Sequence, residues 1–247
     1  MTSSLVTVVG LSLVPIATTA IGASLAAFYP PRQALRSAVQ HFAAGVVFSV
    51  VAVELLPDIT RVHDPFEIGW TFAAGVALML LIALLEKRLE RSATMSGAAV
   101  PMAGANVGQI VGVGVDVLLD GLLIGVAFAA GAKQGVFLTL ALSLELLTLG
   151  VAIASSLGAR GASRIKTVAI PVALSLLLIP GAVIAETLLR GASDHTLAGV
   201  LSFGSAALLY LVTEELLVEA HESAETPIAT AMFFVGFLLF LLLGMAT

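Results

Sequence analysis

The sequence predicts an all-α membrane protein of eight spanning helices, with helices 1–3 and 6–8 related as an inverted repeat around central helices 4 and 5. Three observations predict it. Apolar residues fill 59% of the 247 positions and charged residues only 11%, where a soluble domain carries about 25% charged residues. Apolar runs long enough to cross a bilayer recur along the whole chain. Two of these runs resemble each other, although they would cross the membrane in opposite directions.

Interruptions by Pro, Gly and charge divide the chain into spans at about residues 5–28, 37–57, 69–86, 105–131, 135–157, 168–189, 197–220 and 228–246. The first run lacks a basic flank, outlasts a signal-peptide core and leads through Pro30-Pro31 into the second, so it reads as a mature helix. Residues 92–104 are small and polar with Pro and Gly, and read as a mobile cytoplasmic loop. Gly131 to Gln134 read as the short turn between spans four and five. A single membrane domain, residues 1–247, leaves no room for an additional soluble one of ordinary size.

Eight of the 11 Lys and Arg residues lie on the odd-to-even connections: Arg32, Arg36, Lys87, Arg88, Arg91, Arg160, Arg164 and Lys166. Because cations are retained on the cytoplasmic side, those connections are expected inside and both termini outside. The expected location is a plasma membrane of the bacterial inner-membrane kind. With net charge -5 there is no basic stripe for nucleic acid, and the absence of Cys removes thiolate metal sites and Cys nucleophiles.

The repeat relates residues 42–59, FAAGVVFSVVAVELLPDI, to residues 203–220, FGSAALLYLVTEELLVEA. The two align without gaps and share a Phe, a Val, Glu-Leu-Leu and a following acid, Asp58 or Glu219. Inverted repeats of this kind are the usual frame for alternating access in secondary transporters.

Chemistry is expected where charge stands inside apolar runs. Asp116 and Asp120 fall near the middle of span four and Glu145 near the middle of span five. Each costs ~3 kcal/mol at the bilayer centre, so three at one depth call for a partner or a function. The i to i+4 spacing puts Asp116 and Asp120 on one helix face, and their mutual repulsion requires a proton or a cation. Ser143 and Thr148 add hydroxyls nearby. A second tier sits at the span ends. Glu54 and Asp58 are expected at an outer acidic mouth, and Glu214, Glu215, Glu219, His221 and Glu222 at an inner one, with His41 as a ligand or proton relay. Glu186 and Arg190 read as a surface ion pair, and His63 and His195 as outer-loop residues.

Residues 42–59 resemble the second helix of the ZIP family of divalent-metal transporters, a Gly-rich apolar helix ending in Glu-Leu-Leu-Pro-acid. Leu119-Asp120-Gly121 with Asp116 resembles that family's fourth-helix metal motif, His-Asn-x-x-Asp/Glu-Gly, with Asp116 at the His and Val117 at the Asn. Alignment of the fifth-helix motif on Gly150 puts Glu145 at its first ligand and Leu146 and Leu149 at its acids. Residues 175–182 resemble a sixth-helix segment, with Ile179 in place of the Glu before Pro180.

The resemblance implies transport of a divalent cation, no resident cofactor, and a homodimer. It also implies that helices 1, 4, 5 and 6 move against a scaffold of 2, 3, 7 and 8. A site of Asp116, Asp120 and Glu145 alone favours manganese, ferrous iron or magnesium beside zinc, because it offers only oxygen ligands. The alternative expectation is a proton-coupled carrier of another small solute, with the same acids as relay. An intramembrane enzyme is not expected, since HExxH, GxSxG and Cys are all absent.

Overall fold

The computed structural model describes residues 2–29, 31–62, 64–95, 107–221 and 226–246. Among them are eight helices long and apolar enough to cross a membrane, and the chain is an all-α integral membrane protein. They are α1 (Thr2–Phe28), α2 (Gln33–Thr60), α3 (Pro65–Met95), α4 (Val107–Ala130), α5 (Ala132–Ala159), α6 (Arg164–Leu189), α7 (Asp194–His221) and α8 (Pro227–Ala246). Most begin or end a few residues beyond the apolar runs, because the backbone ladder continues where side chains turn polar. The longest extension is in α3, which carries residues 92–95 of the expected loop as helix; residues 96–104 lie outside the described residues, as do His63 and Glu222.

Between α4 and α5 the expected four-residue turn is one residue, Gly131, since Ala132, Lys133 and Gln134 are already helical. A Cβ on Gly131 would lie 2.3 Å from Gln134 Oε1, the movable end of a side chain.

Helix pairs form close seams where backbones meet. The most extensive contacts join α1 to α5, α2 to α8, α4 to α6 and α3 to α7. A Cβ on Gly150 would lie 2.5 Å from Thr19 O, and one on Gly121 2.2 Å from Leu178 O. Exchanging 1 with 6, 2 with 7, 3 with 8 and 4 with 5 turns α1–α5 into α6–α4 and α2–α8 into α7–α3. The packing thus has the twofold pattern expected of the repeat.

Two irregularities repeat as well. A π-helical segment interrupts α2 at Val51–Leu55 and α7 at Leu211–Leu216, which are overlapping stretches of the two aligned sequences. In α2 the cause is visible: Pro57 has no N–H, and its ring opposes the carbonyl of Val53, so the turn widens. Nothing in α7 plays the part of Pro57. Helix α6 is broken into Arg164–Ser175 and Leu178–Leu189, shortly before Pro180.

Candidate metal centre

The seams just described set the positions of the acids. Helix α4 lies against the broken part of α6 through Gly121, the residue after Asp120. On α5, the Thr18 hydroxyl of α1 donates to Ser143 O at 2.7 Å, two residues before Glu145. Asp116, Asp120 and Glu145 are brought together: each offers a carboxylate oxygen, and the three oxygens lie within 4.8 Å of one another. Asp120 is 1% exposed and Glu145 4%, while Asp116 is half-buried. Asp120 Oδ2 and Glu145 Oε2 are buried with no hydrogen-bond partner among the described residues. Buried carboxylate oxygens are normally hydrogen-bonded, so two unpartnered oxygens on residues of one carboxylate cluster can take a cation as their shared partner.

The hydroxyls beside Glu145 donate to their own helix: Ser143 to Thr139 O at 2.6 Å and Thr148 to Glu145 O at 2.7 Å. Their lone pairs stay available, but their protons are spent on backbone. Helix α6 brings the Leu178 backbone against Gly121, and among the described residues the carboxylate ligands come from α4 and α5.

The second tier divides by end. At the end carrying the basic connections, Glu214, Glu215 and Glu219 line a cavity of about 420 Å³ that includes Asp116, Tyr210 and Lys87. Gln40 donates to Glu219 Oε2, and Arg36 lies 3.6 Å from the same carboxylate. Nearby, His41 is buried with Nδ1 donating to Ser37 O at 2.9 Å, and its ring meets that of His221 edge-on at 5.1 Å between centroids. His221 Nδ1 donates to Leu217 O, and His41 Nε2 has no hydrogen-bond partner among the described residues.

At the opposite end the expected acidic mouth is neutralised: Glu54 is held under Lys133, while Asp58 borders a cavity of about 470 Å³ together with Arg61, Gln134 and His195. Lys133 at the start of α5 sits 3.4 Å from Glu54 Oε1, donates to Gly244 O of α8 at 3.1 Å and covers the Phe137 ring. Gln134 donates to Asp58 at 2.5 Å, and Arg61 pairs with Asp58 at 2.9 Å. The lysine that reads as a turn residue in sequence belongs to a helix whose first turn points under α2.

The Glu186–Arg190 pair forms at 3.2 Å, but it is not a surface pair on the glutamate side. Glu186 is 6% exposed because α6 presses against Gly125 of α4 there, leaving only the guanidinium near solvent. His195 joins Asp64 and Glu67 in a second group whose ligand atoms lie within 4.8 Å. Sequence reasoning did not find it, since its members are separated by well over a hundred positions and meet only where α3 and α7 begin. Asp64 also caps α3, accepting from Phe66 N and Glu67 N.

What the fold and the apolar helices define is a polytopic membrane protein with a polar centre inside it. No protein-family model matches the chain, and no curated protein matches it.

Proposed function

We propose that this protein carries a divalent metal cation across the membrane, with Asp116, Asp120 and Glu145 as its midway ligands. The observation behind this reading is the convergence of three carboxylates from α4 and α5, two of them with a buried oxygen that no described residue satisfies. Three negative charges repel at this range, and a dication neutralises most of that charge while replacing the missing hydrogen bonds. All-oxygen ligation suits manganese, ferrous iron and magnesium, and zinc binds it as well.

The cavity of Glu214, Glu215 and Glu219 supports a route to Asp116 from the end bearing the basic connections, which we assign to the cytoplasm with both termini outside. We read this as a form in which Glu54 is shut away beneath Lys133 at the opposite end, while Asp58, tied to Gln134, stays at the edge of a cavity there. Alternating access would then slide α1, α4, α5 and α6 against α2, α3, α7 and α8, since the most extensive helix contacts fall within those two groups. A homodimer in a plasma membrane follows from the same reading.

Uptake of radioactive manganese and zinc into proteoliposomes, together with saturable binding by the purified protein, tests it. Asp120→Asn is expected to abolish both. Absence of saturable metal binding, with uptake unchanged in Asp120→Asn, overturns the metal reading and leaves these acids to relay protons for another solute.

A further inference from the structure

A second cavity lies away from the acids, in the seam where α2 meets α1 and α5. Its volume is about 240 Å³, and its walls include Leu25, Leu35, Leu147 and Val151, with Tyr29 and Arg36 at the mouth. Leu25, Leu35 and Tyr29 are 52%, 59% and 79% exposed, so the crevice opens on the outer surface of the bundle. In a spanning protein that surface faces acyl chains. A narrow apolar crevice open to them is filled by one, because an empty seam forfeits dispersion contacts on both walls.

The headgroup that would come with that chain is specified by charge. Arg36 is in the wall and Arg32 lies one turn before it on the connection from α1. Arg164 lies 5.2 Å from the centre of the Phe28 ring, next to Tyr29, with Arg160 and Lys166 exposed on the same connection or beside it. Arg36 contacts Glu219 at 3.6 Å through one nitrogen, and a guanidinium has five N–H donors, which leaves several for a phosphate. Basic pockets between spanning helices at one end of a bundle select anionic lipid headgroups.

We infer that this crevice is a binding site for one anionic phospholipid, its acyl chain between α2 and the α1–α5 pair and its phosphate held by Arg32 and Arg36. The inference does not depend on what the protein transports. Thr148 also lines the crevice and donates to Glu145 O, so the bound chain lies one helical turn from a ligand of the candidate metal centre. It would occupy the gap between the two groups of helices.

Fluorescence quenching tests this directly. The natural Trp70 is exposed on α3, so a Trp70→Phe, Tyr29→Trp variant reports on the crevice mouth alone. Reconstituted in phosphatidylcholine nanodiscs, it is titrated with chain-brominated phosphatidylglycerol or chain-brominated phosphatidylcholine. At equal mole fraction the anionic lipid is expected to occupy the site about tenfold more readily, given two arginines at the headgroup. Arg32→Gln with Arg36→Gln removes that preference, and Arg88→Gln, exposed in the last third of α3, leaves it intact. Salt supplies the same reading without substitution of either arginine: the preference shrinks as ionic strength rises from about 0.01 to about 1 M and the Debye length falls from ~30 to ~3 Å. Equal quenching by the two lipids, or a preference indifferent to salt or to the loss of both arginines, overturns the inference.

Discussion

At the scale of single residues, the acids were legible because charge inside an apolar run is conspicuous, and their partners were not. Asp116, Asp120 and Glu145 stand out against Val, Leu and Gly on either side. That two of them keep an unpartnered oxygen is a property of the folded neighbourhood alone. It carries a prediction with a definite sign. Replacing Asp120 by Asn keeps the shape, removes one charge from a repelling set and supplies a donor, so the metal-free protein is expected to melt at the same temperature or higher. With metal at one hundred times its dissociation constant the native chain gains about 2.7 kcal/mol, and the variant, which does not bind it, is expected to gain nothing measurable. Thermal denaturation with and without manganese checks both signs at once.

Lys133 shows the reverse case, a residue with an ordinary look in sequence and a specific place in the fold. Its ammonium touches Glu54, a backbone carbonyl of α8 and the Phe137 ring, while the Glu54 side chain is only 6% exposed and Lys133 41%. Lys133→Met leaves the carboxylate buried without its counter-charge. The expected loss is about 1–3 kcal/mol, reduced from that of a fully buried pair because the lysine is partly in solvent. Adding Glu54→Gln is expected to return most of it, and a double-mutant cycle in detergent unfolding measures the coupling.

At the scale of elements, eight helices and their order follow from the apolar runs, whereas bends inside helices do not. Periodicity places α2 and α7 well enough, but π-helical segments have no residue signature, and only Pro57 hints at one of them. The break in α6 could have been read from Pro180, since proline disturbs the turn before it. Seams between helices are written in glycine, yet glycine alone does not tell which partner it faces. Gly121→Ala would place a Cβ 2.2 Å from Leu178 O, backbone that can yield only if α4 and α6 part. A loss of about 1–3 kcal/mol is expected, as for overpacking elsewhere. Gly10→Ala meets nothing within 4 Å and is expected to stay within about 0.5 kcal/mol of the native chain. Comparing the two melting temperatures separates close approach from the general effect of adding a methyl group to a helix.

At the scale of the molecule, the inverted repeat is what connects the site to movement. Residues 42–59 and 203–220 end in paired acids at opposite ends of the bundle, Glu54 with Asp58 and Glu215 with Glu219. In the first pair Glu54 is covered by Lys133 and Asp58 is tied to Gln134 at the edge of a cavity, whereas the second pair lines the cavity that reaches Asp116. A twofold-related protein whose two ends differ in this way has a second form available in which the ends exchange. If that exchange is the transport step, fixing the Asp58–Gln134 contact must stop transport, and fixing a seam inside one group of helices must not. The chain has no Cys, so introduced pairs report cleanly. Asp58→Cys with Gln134→Cys joins α2 to α5 across a contact of 2.5 Å, and Phe48→Cys with Phe233→Cys joins α2 to α8 where the rings stand 5.9 Å apart. Oxidation or a short bifunctional reagent is expected to reduce metal uptake at least about tenfold in the first variant, with recovery by reductant wherever a disulfide forms, since a lock costs one conformation its whole population. The second variant is expected to transport equally well before and after crosslinking. Equal inhibition of both would mean that the two groups of helices do not move as units, and full activity of the crosslinked α2–α5 variant would mean that the Asp58–Gln134 contact never has to part.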